Sequence, residues 1–248
     1  MNFKTWIFLA ESQQAHVEVQ VGNSLTAMFE QAGSMFKLDR LHGERGDFTS
    51  YLMLVWPQDA QQNGRFYLPR QFPEGIAGKP VRFVKGDERA KSGAQHKPNG
   101  SFNGFVFNMA GFDEIRNPED IDKYVDSLGY KAHHEAEHIY NPGTILNLGD
   151  GDQMRAGLHY MSNIGEIRAH AREMARAYAK HHPGEDFDLH KAQSLLEEPQ
   201  FTDTHRNYYR DLAEPGKWER YRRQYGLSFN PHDLVVQATK DFLPQYQN

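Results

Sequence analysis

Cysteine is missing from all 248 residues. That excludes disulfides and thiolate-bound zinc, so any metal the chain holds must rest on imidazoles and carboxylates. Long apolar runs are missing too. The stretches "WIFLA" and "YLMLVW" fall well short of the roughly 20 apolar residues of a membrane helix, and neither precedes a small-residue cleavage site. Membrane spanning and export by a signal peptide are not expected; a cytoplasmic location is. Nor is there an excess of positive charge: 28 Lys and Arg against 33 Asp and Glu leave a net charge of −5, which exerts no long-range pull on nucleic acid.

What remains is a polar chain with 38% hydrophobic and 12% aromatic residues, enough at this length for a substantial core. Its pattern changes once along the way. "SLTAMFEQAGSMFKL" puts Leu25, Met28, Phe29, Met35 and Phe36 at helical spacing. "SYLMLVW" (50–56), "GRFYLPR" (64–70), "KPVRFVK" (79–85) and "FNGFVFNMAGF" (102–112) read as strands, being rich in branched and aromatic residues between turn formers. Residues 86–101 hold almost nothing to bury and read as a surface loop.

From Asn117 the period is helical. Asn117 suits the N-cap and Pro118 the first helical position, and Ile121, Tyr124, Val125, Leu128, Ala132, Glu135 and Ile139 share one side. Gly129 allows a kink, and "NPG" at 141–143 ends the helix. A second helix runs from Ser162 or Asn163 to about His182, with Ile164, Ile167, Ala171, Met174, Ala175 and Tyr178 as its apolar face. Shorter helices follow in 183–248. The expected architecture is a single α+β domain, 1–248, with a mixed sheet and helix region over 1–101.

Inside "YKAHHEAEHIYNP" (130–142), His134, Glu135 and His138 spell H-E-x-x-H. On a helix, positions four apart lie on one face, so two imidazoles can reach a single zinc ion at roughly 2.0 to 2.1 Å. The next residue points about 100° around the helix. From there the Glu135 carboxylate can deprotonate a metal-bound water without ligating the metal. A third ligand is available one loop later, where Glu166 opens the second helix. Asn163 and Glu166 also fit a capping box, which requires no metal. His133 and Glu137, four apart, are expected on the solvent side as a simple surface pair.

With these motifs the chain resembles the HExxH zinc metallopeptidases, the zincins, and within them the subgroup whose third ligand is a glutamate on a later helix. "SNIGEIRAHAREM" is similar to a segment of small peptidase-like proteins encoded by phages and bacteria, and the likeness covers about residues 102–182. The resemblance implies a zincin-like core of a small sheet, an HExxH helix and a glutamate helix. It implies His134, His138 and Glu166 as zinc ligands, Glu135 as the base, and a peptide or protein as substrate. His159, Tyr160, Arg168 and His170 are then the candidates for stabilising an oxyanion or supporting a ligand. Glu137 inside the motif, and His133 before it, depart from the uncharged and apolar residues usual there. The metzincin extension is absent, since Asn141 and Thr144 stand at its positions.

Two other functions stay open on the sequence. The opening "MNFKTWIFLAES" looks like short phage-encoded proteins, which would make the chain a virion or assembly component with a zincin-like fold and viral structural partners, in host cytoplasm or the particle. "WERYRRQYG" (218–226) interleaves arginines with aromatics and could stack on bases. The bland reading of that stretch is an amphipathic helix, and nucleic acid is not the expected partner.

Overall fold

The computed structural model describes residues 3–43, 46–86, 92–140, 164–195, 216, 219, 223 and 231–247. The chain divides into two compact units, Met1–Pro142 and Gly143–Asn248.

The first unit is α+β. Helix α1 (Phe3–Leu41) and helix α2 (Phe48–Val55) precede β1 (Gln61–Gln62), β2 (Arg65–Tyr67), β3 (Pro80–Val84), β4 (Gly93–His96) and β5 (Phe102–Asn108), and helix α3 (Pro118–Glu137) closes it. The strands form one sheet in the order β1-β2-β3-β5-β4. Only β3 and β5 are parallel, with Val81 opposite Phe105 and Phe83 opposite Phe107. β4 runs antiparallel to β5 and is an edge strand.

Helix α1 covers this sheet because its buried stripe, Val21, Leu25, Met28, Phe29, Ala32 and Phe36, repeats at three and four residues. Phe29 meets Phe83 and Phe107 edge-on at 6.0 and 5.3 Å. The helical stretch expected around residues 24–38 is thus the C-terminal half of a far longer helix.

The strand expected at 50–56 is instead helix α2. Asp47 caps it, accepting a hydrogen bond from the Thr49 amide at 3.0 Å, and Phe48, Tyr51 and Leu52 turn inward. Met53 and Leu54 stay exposed. A stretch that is apolar all round carries no periodicity, so the cap decides what the composition cannot. The strands expected at 64–70, 79–85 and 102–112 are present as β2, β3 and β5. The expected loop at 86–101 contains β4, a polar strand that pairing with β5 creates.

Helix α3 begins as its sequence dictates: Asn117 accepts from the Glu119 amide at 3.1 Å, and Pro118 follows. It continues unbroken through Gly129. Thr26 of α1 donates to the Gly129 carbonyl at 3.4 Å. A Cβ on Gly33 would lie 2.4 Å from Val125, and one on Gly22 would lie 2.5 Å from Nδ1 of His133. Contacts that descend α1 as they ascend α3 mean an antiparallel pair, and the missing side chains let the backbones come close.

At the far end of the sheet, Lys85 bridges Asp47 at 2.9 Å and Asp113 at 2.6 Å. Burial alone would push the Asp47 carboxyl up, but the Lys85 ammonium and the Thr49 amide outweigh it and hold the group below its ordinary value of 3.8. The Asp113 carboxylate, against the opposing pull of burial, raises Lys85, with Asp47 adding to it. A depressed carboxyl contributes stability that is present above its ordinary value and lost as pH falls through the folded one. Both partners are half exposed, so the effect is small. The melting temperature of Lys85→Met should fall below that of the wild type at pH 7, and the gap should close between about pH 4 and pH 2. A gap that does not change over that range, followed by circular dichroism, would contradict this assignment.

The second unit holds α4 (Ile164–His181), α5 (Leu189–Leu195) and α6 (Pro231–Phe242). Ile167, Ala171, Met174, Ala175 and Tyr178 of α4 are buried, as its pattern predicts. Arg172 is wholly buried, with its guanidinium 4.2 Å from the Phe242 ring centroid, and it donates to Gln245 Oε1 at 3.3 Å. Tyr178 pins the end of α4, donating to the Asp186 carbonyl at 2.9 Å. No described helix is long and apolar enough to cross a membrane.

Candidate metal centre

The last two turns of α3 carry the H-E-x-x-H residues. His134, Glu135 and His138 are all buried, and the two imidazole centroids stand 5.2 Å apart with planes at 69°. That is the one-face arrangement the four-residue spacing requires. Glu135 also points inward, and its Oε2 accepts a hydrogen bond from the Ala94 amide of β4 at 2.8 Å. A charge-assisted bond from an edge strand fixes the orientation of this carboxylate, while Oε1 keeps acceptor capacity of its own.

His133 and Glu137 do not face solvent: both are fully buried. The physical reason is on α1, where Gly22 leaves the space that the His133 ring fills. Glu137 lies one turn further along the same side of α3, so the side expected to be wet is the one that α1 helps to cover.

His96 is a neighbour that the sequence did not reveal. Burial, aided by the nearby His138, lowers its pKa against the opposing effect of the peptide groups at His138 and Ile139, where α3 ends; its buried Nε2 has no hydrogen-bond partner among the described residues. The only signal was a histidine in a polar stretch with no strand periodicity. Nothing local in "SGAQH" marks a strand that pairs or a residue that reaches the motif.

In the second unit Glu166 lies in the first turn of α4 and is buried. His170 and Glu173 are buried on the same helix, with Nδ1 and Oε2 3.9 Å apart. Arg168 stacks over Phe242 at 5.2 Å. Asn163, the proposed cap, and the oxyanion candidates His159 and Tyr160 lie outside the described residues. So does most of "WERYRRQYG", of which Glu219 and Arg223 are described, ion-paired at 2.9 Å.

Metal-donor side chains are therefore buried in both units: His134 and His138 in the first, Glu166, His170 and Glu173 in the second. Two imidazoles and a carboxylate are a donor set that zinc accepts, with none of the sulfur ligands this chain lacks. Comparison with protein-family models, curated proteins and solved structures found no match to this chain. The residues themselves must carry the functional reading.

Proposed function

We propose that the protein is a zinc-dependent metallopeptidase in which His134, His138 and Glu166 hold the ion and Glu135 is the general base. The observation that carries this reading is the buried His134, Glu135 and His138 triplet at the end of α3, with Glu135 held by the Ala94 amide. A buried glutamate beside two buried imidazoles is costly unless something compensates the group. When bound, zinc supplies Lewis acidity, which acidifies water and polarises a peptide carbonyl. Glu135 takes the proton of the attacking water on its carboxylate and returns it to the leaving amine. β4 is an edge strand, the kind of edge on which an extended peptide can pair.

The test is the metal content of the purified, untagged protein by inductively coupled plasma mass spectrometry. About one zinc per chain is expected, falling to a small fraction in both His138→Ala and Glu166→Ala. A wild-type protein that stays free of metal after reconstitution would sink the proposal. Full occupancy in Glu166→Ala would instead remove that residue from the ligand set and favour His170 and Glu173 as the donors of the second unit.

A second reading, an assembly protein that keeps the fold, draws on one observation. Among the described residues, Leu38, Leu41, Met53 and Leu54 are large apolar side chains left exposed on α1 and α2, two helices that pack against each other. A metal-free protein that self-associates, and is freed by Leu41→Lys with Leu54→Lys, would favour it.

A further inference from the structure

The hydrogen bond between Ala94 and Glu135 shows which way the edge of β4 faces. In an antiparallel ladder a residue sends its N–H and C=O together, either both to the paired strand or both away from it. Ala94 stands opposite Phe105 of β5, yet its amide donates to Glu135 Oε2 at 2.8 Å. Ala94 therefore belongs to the outward set, and its carbonyl looks the same way as its amide. Among the described residues no strand pairs with that side of β4.

What stands there is the carboxylate. The N–H groups of a strand point along the direction in which neighbouring strands are added, so Glu135 Oε2 takes the place of the carbonyl oxygen of a further strand. The end of α3 thus fills one hydrogen-bonding position of an otherwise open edge. A peptide that pairs with β4 at Ala94 needs the same amide, whichever direction it runs. Its carbonyl and the Glu135 carboxylate exclude each other.

The exchange is unequal. A hydrogen bond to an ionised acceptor is roughly twice as strong as one to a neutral acceptor, so a peptide carbonyl is the weaker partner for this one donor. The rest of the ladder must drive the displacement, including the bond to the Ala94 carbonyl, which an ionised carboxylate cannot make. A dipeptide offers too few such bonds. An extended segment lying along β4 offers several.

We propose that Glu135 is latched to β4 in the free protein and released by the substrate: an extended peptide displaces it from the Ala94 amide, which frees both of its oxygens. This rests on the reading of Glu135 as the base of a peptidase. It adds a substrate class to that reading, extended segments rather than dipeptides.

The test uses the full chain without metal, so that binding is read and no turnover occurs. The probe is fluorescein-labelled oxidised insulin B chain, an unfolded peptide, followed by anisotropy. A double-mutant cycle compares the wild type with Glu135→Ala, Ala94→Pro and the two together. Proline removes the N–H at an edge position whose amide lies outside the ladder, where a strand tolerates it. Glu135→Ala should bind the peptide about tenfold more tightly than the wild type, the order expected when a charge-assisted competitor is removed. In the Ala94→Pro background the same replacement should change affinity by less than about twofold. In proton–nitrogen spectra the Ala94 amide should move upfield in Glu135→Ala and return downfield as peptide saturates it.

Peptide affinity of Glu135→Ala within about twofold of the wild type would overturn the latch. So would an equal gain in the proline background, which marks general repulsion by the carboxylate, or the absence of binding to both the wild type and Glu135→Ala. Displacement of the probe by alanyl-alanine at equal concentration would overturn the substrate class. Where Ala94→Pro itself fails to fold or to bind, the Ala94 amide decides: a signal that the peptide leaves unmoved overturns the proposal. None of these readouts needs an ion, so a wild type that takes up no zinc sinks the metal reading alone.

Discussion

Under the proposed zinc-peptidase reading, Glu135→Gln should keep the metal and lose peptide hydrolysis by a factor of about 10² to 10⁴, the usual contribution of a positioned general base. The amide is nearly isosteric with the carboxylate, and Glu135 is not among the proposed ligands, so metal content and melting temperature should stay near those of the wild type. Gln can still accept from the Ala94 amide through its side-chain oxygen, which keeps the 2.8 Å contact available. What it cannot do is accept a proton. The measurement is the initial rate on fluorescein-labelled casein at equal zinc loading. A variant retaining more than a tenth of the wild-type rate would show that Glu135 is not the base, whatever its burial.

The largest effect on stability is expected at Gly104. Its φ of 134° is a backbone conformation that L side chains rarely adopt, and a Cβ there would lie 2.3 Å from the Pro80 carbonyl oxygen. That oxygen is backbone at the start of β3, where the parallel ladder with β5 begins. It cannot swing away as a side chain would. Strain and overpacking together put Gly104→Ala at about 2 to 5 kcal/mol, which in a protein of this size lowers the melting temperature by about 5 to 15 °C. Gly100 supplies the comparison: its φ is also positive, at 79°, but nothing lies within 4 Å of the added carbon. Gly100→Ala should cost about 1 to 2 kcal/mol. Equal melting temperatures for the two variants would rule out the close approach to Pro80 as the cause.

Several features of this protein were written locally. The start of α3 follows from Asn117 and Pro118, since an N-cap and a first-turn proline act within a few residues. The buried stripe of that helix, and that of α4, follow from the 3.6-residue period. The pairing of His134 with His138 is a consequence of helix geometry alone, so the most specific part of the candidate site was visible as a five-residue string. β2, β3 and β5 were also legible, because branched and aromatic residues between turn formers have few other uses.

Other features depended on what packs against what. The stretch at 50–56 is apolar on every side, and only its cap and its place beside α1 make it α2 rather than a strand. β4 is a strand because β5 offers it hydrogen bonds, not because "GAQH" prefers to extend. His133 and Glu137 are buried because α1 crosses α3 at Gly22, and no wheel drawn from α3 contains that information. For the same reason the Ala94 amide joins the motif unannounced. A helix spacing or a cap is decided by atoms a few residues apart, which the sequence fixes in order. Burial, and the neighbours of a buried group, are decided by contacts between segments far apart in the chain, which exist only once α1, α3 and the sheet have closed around a common core.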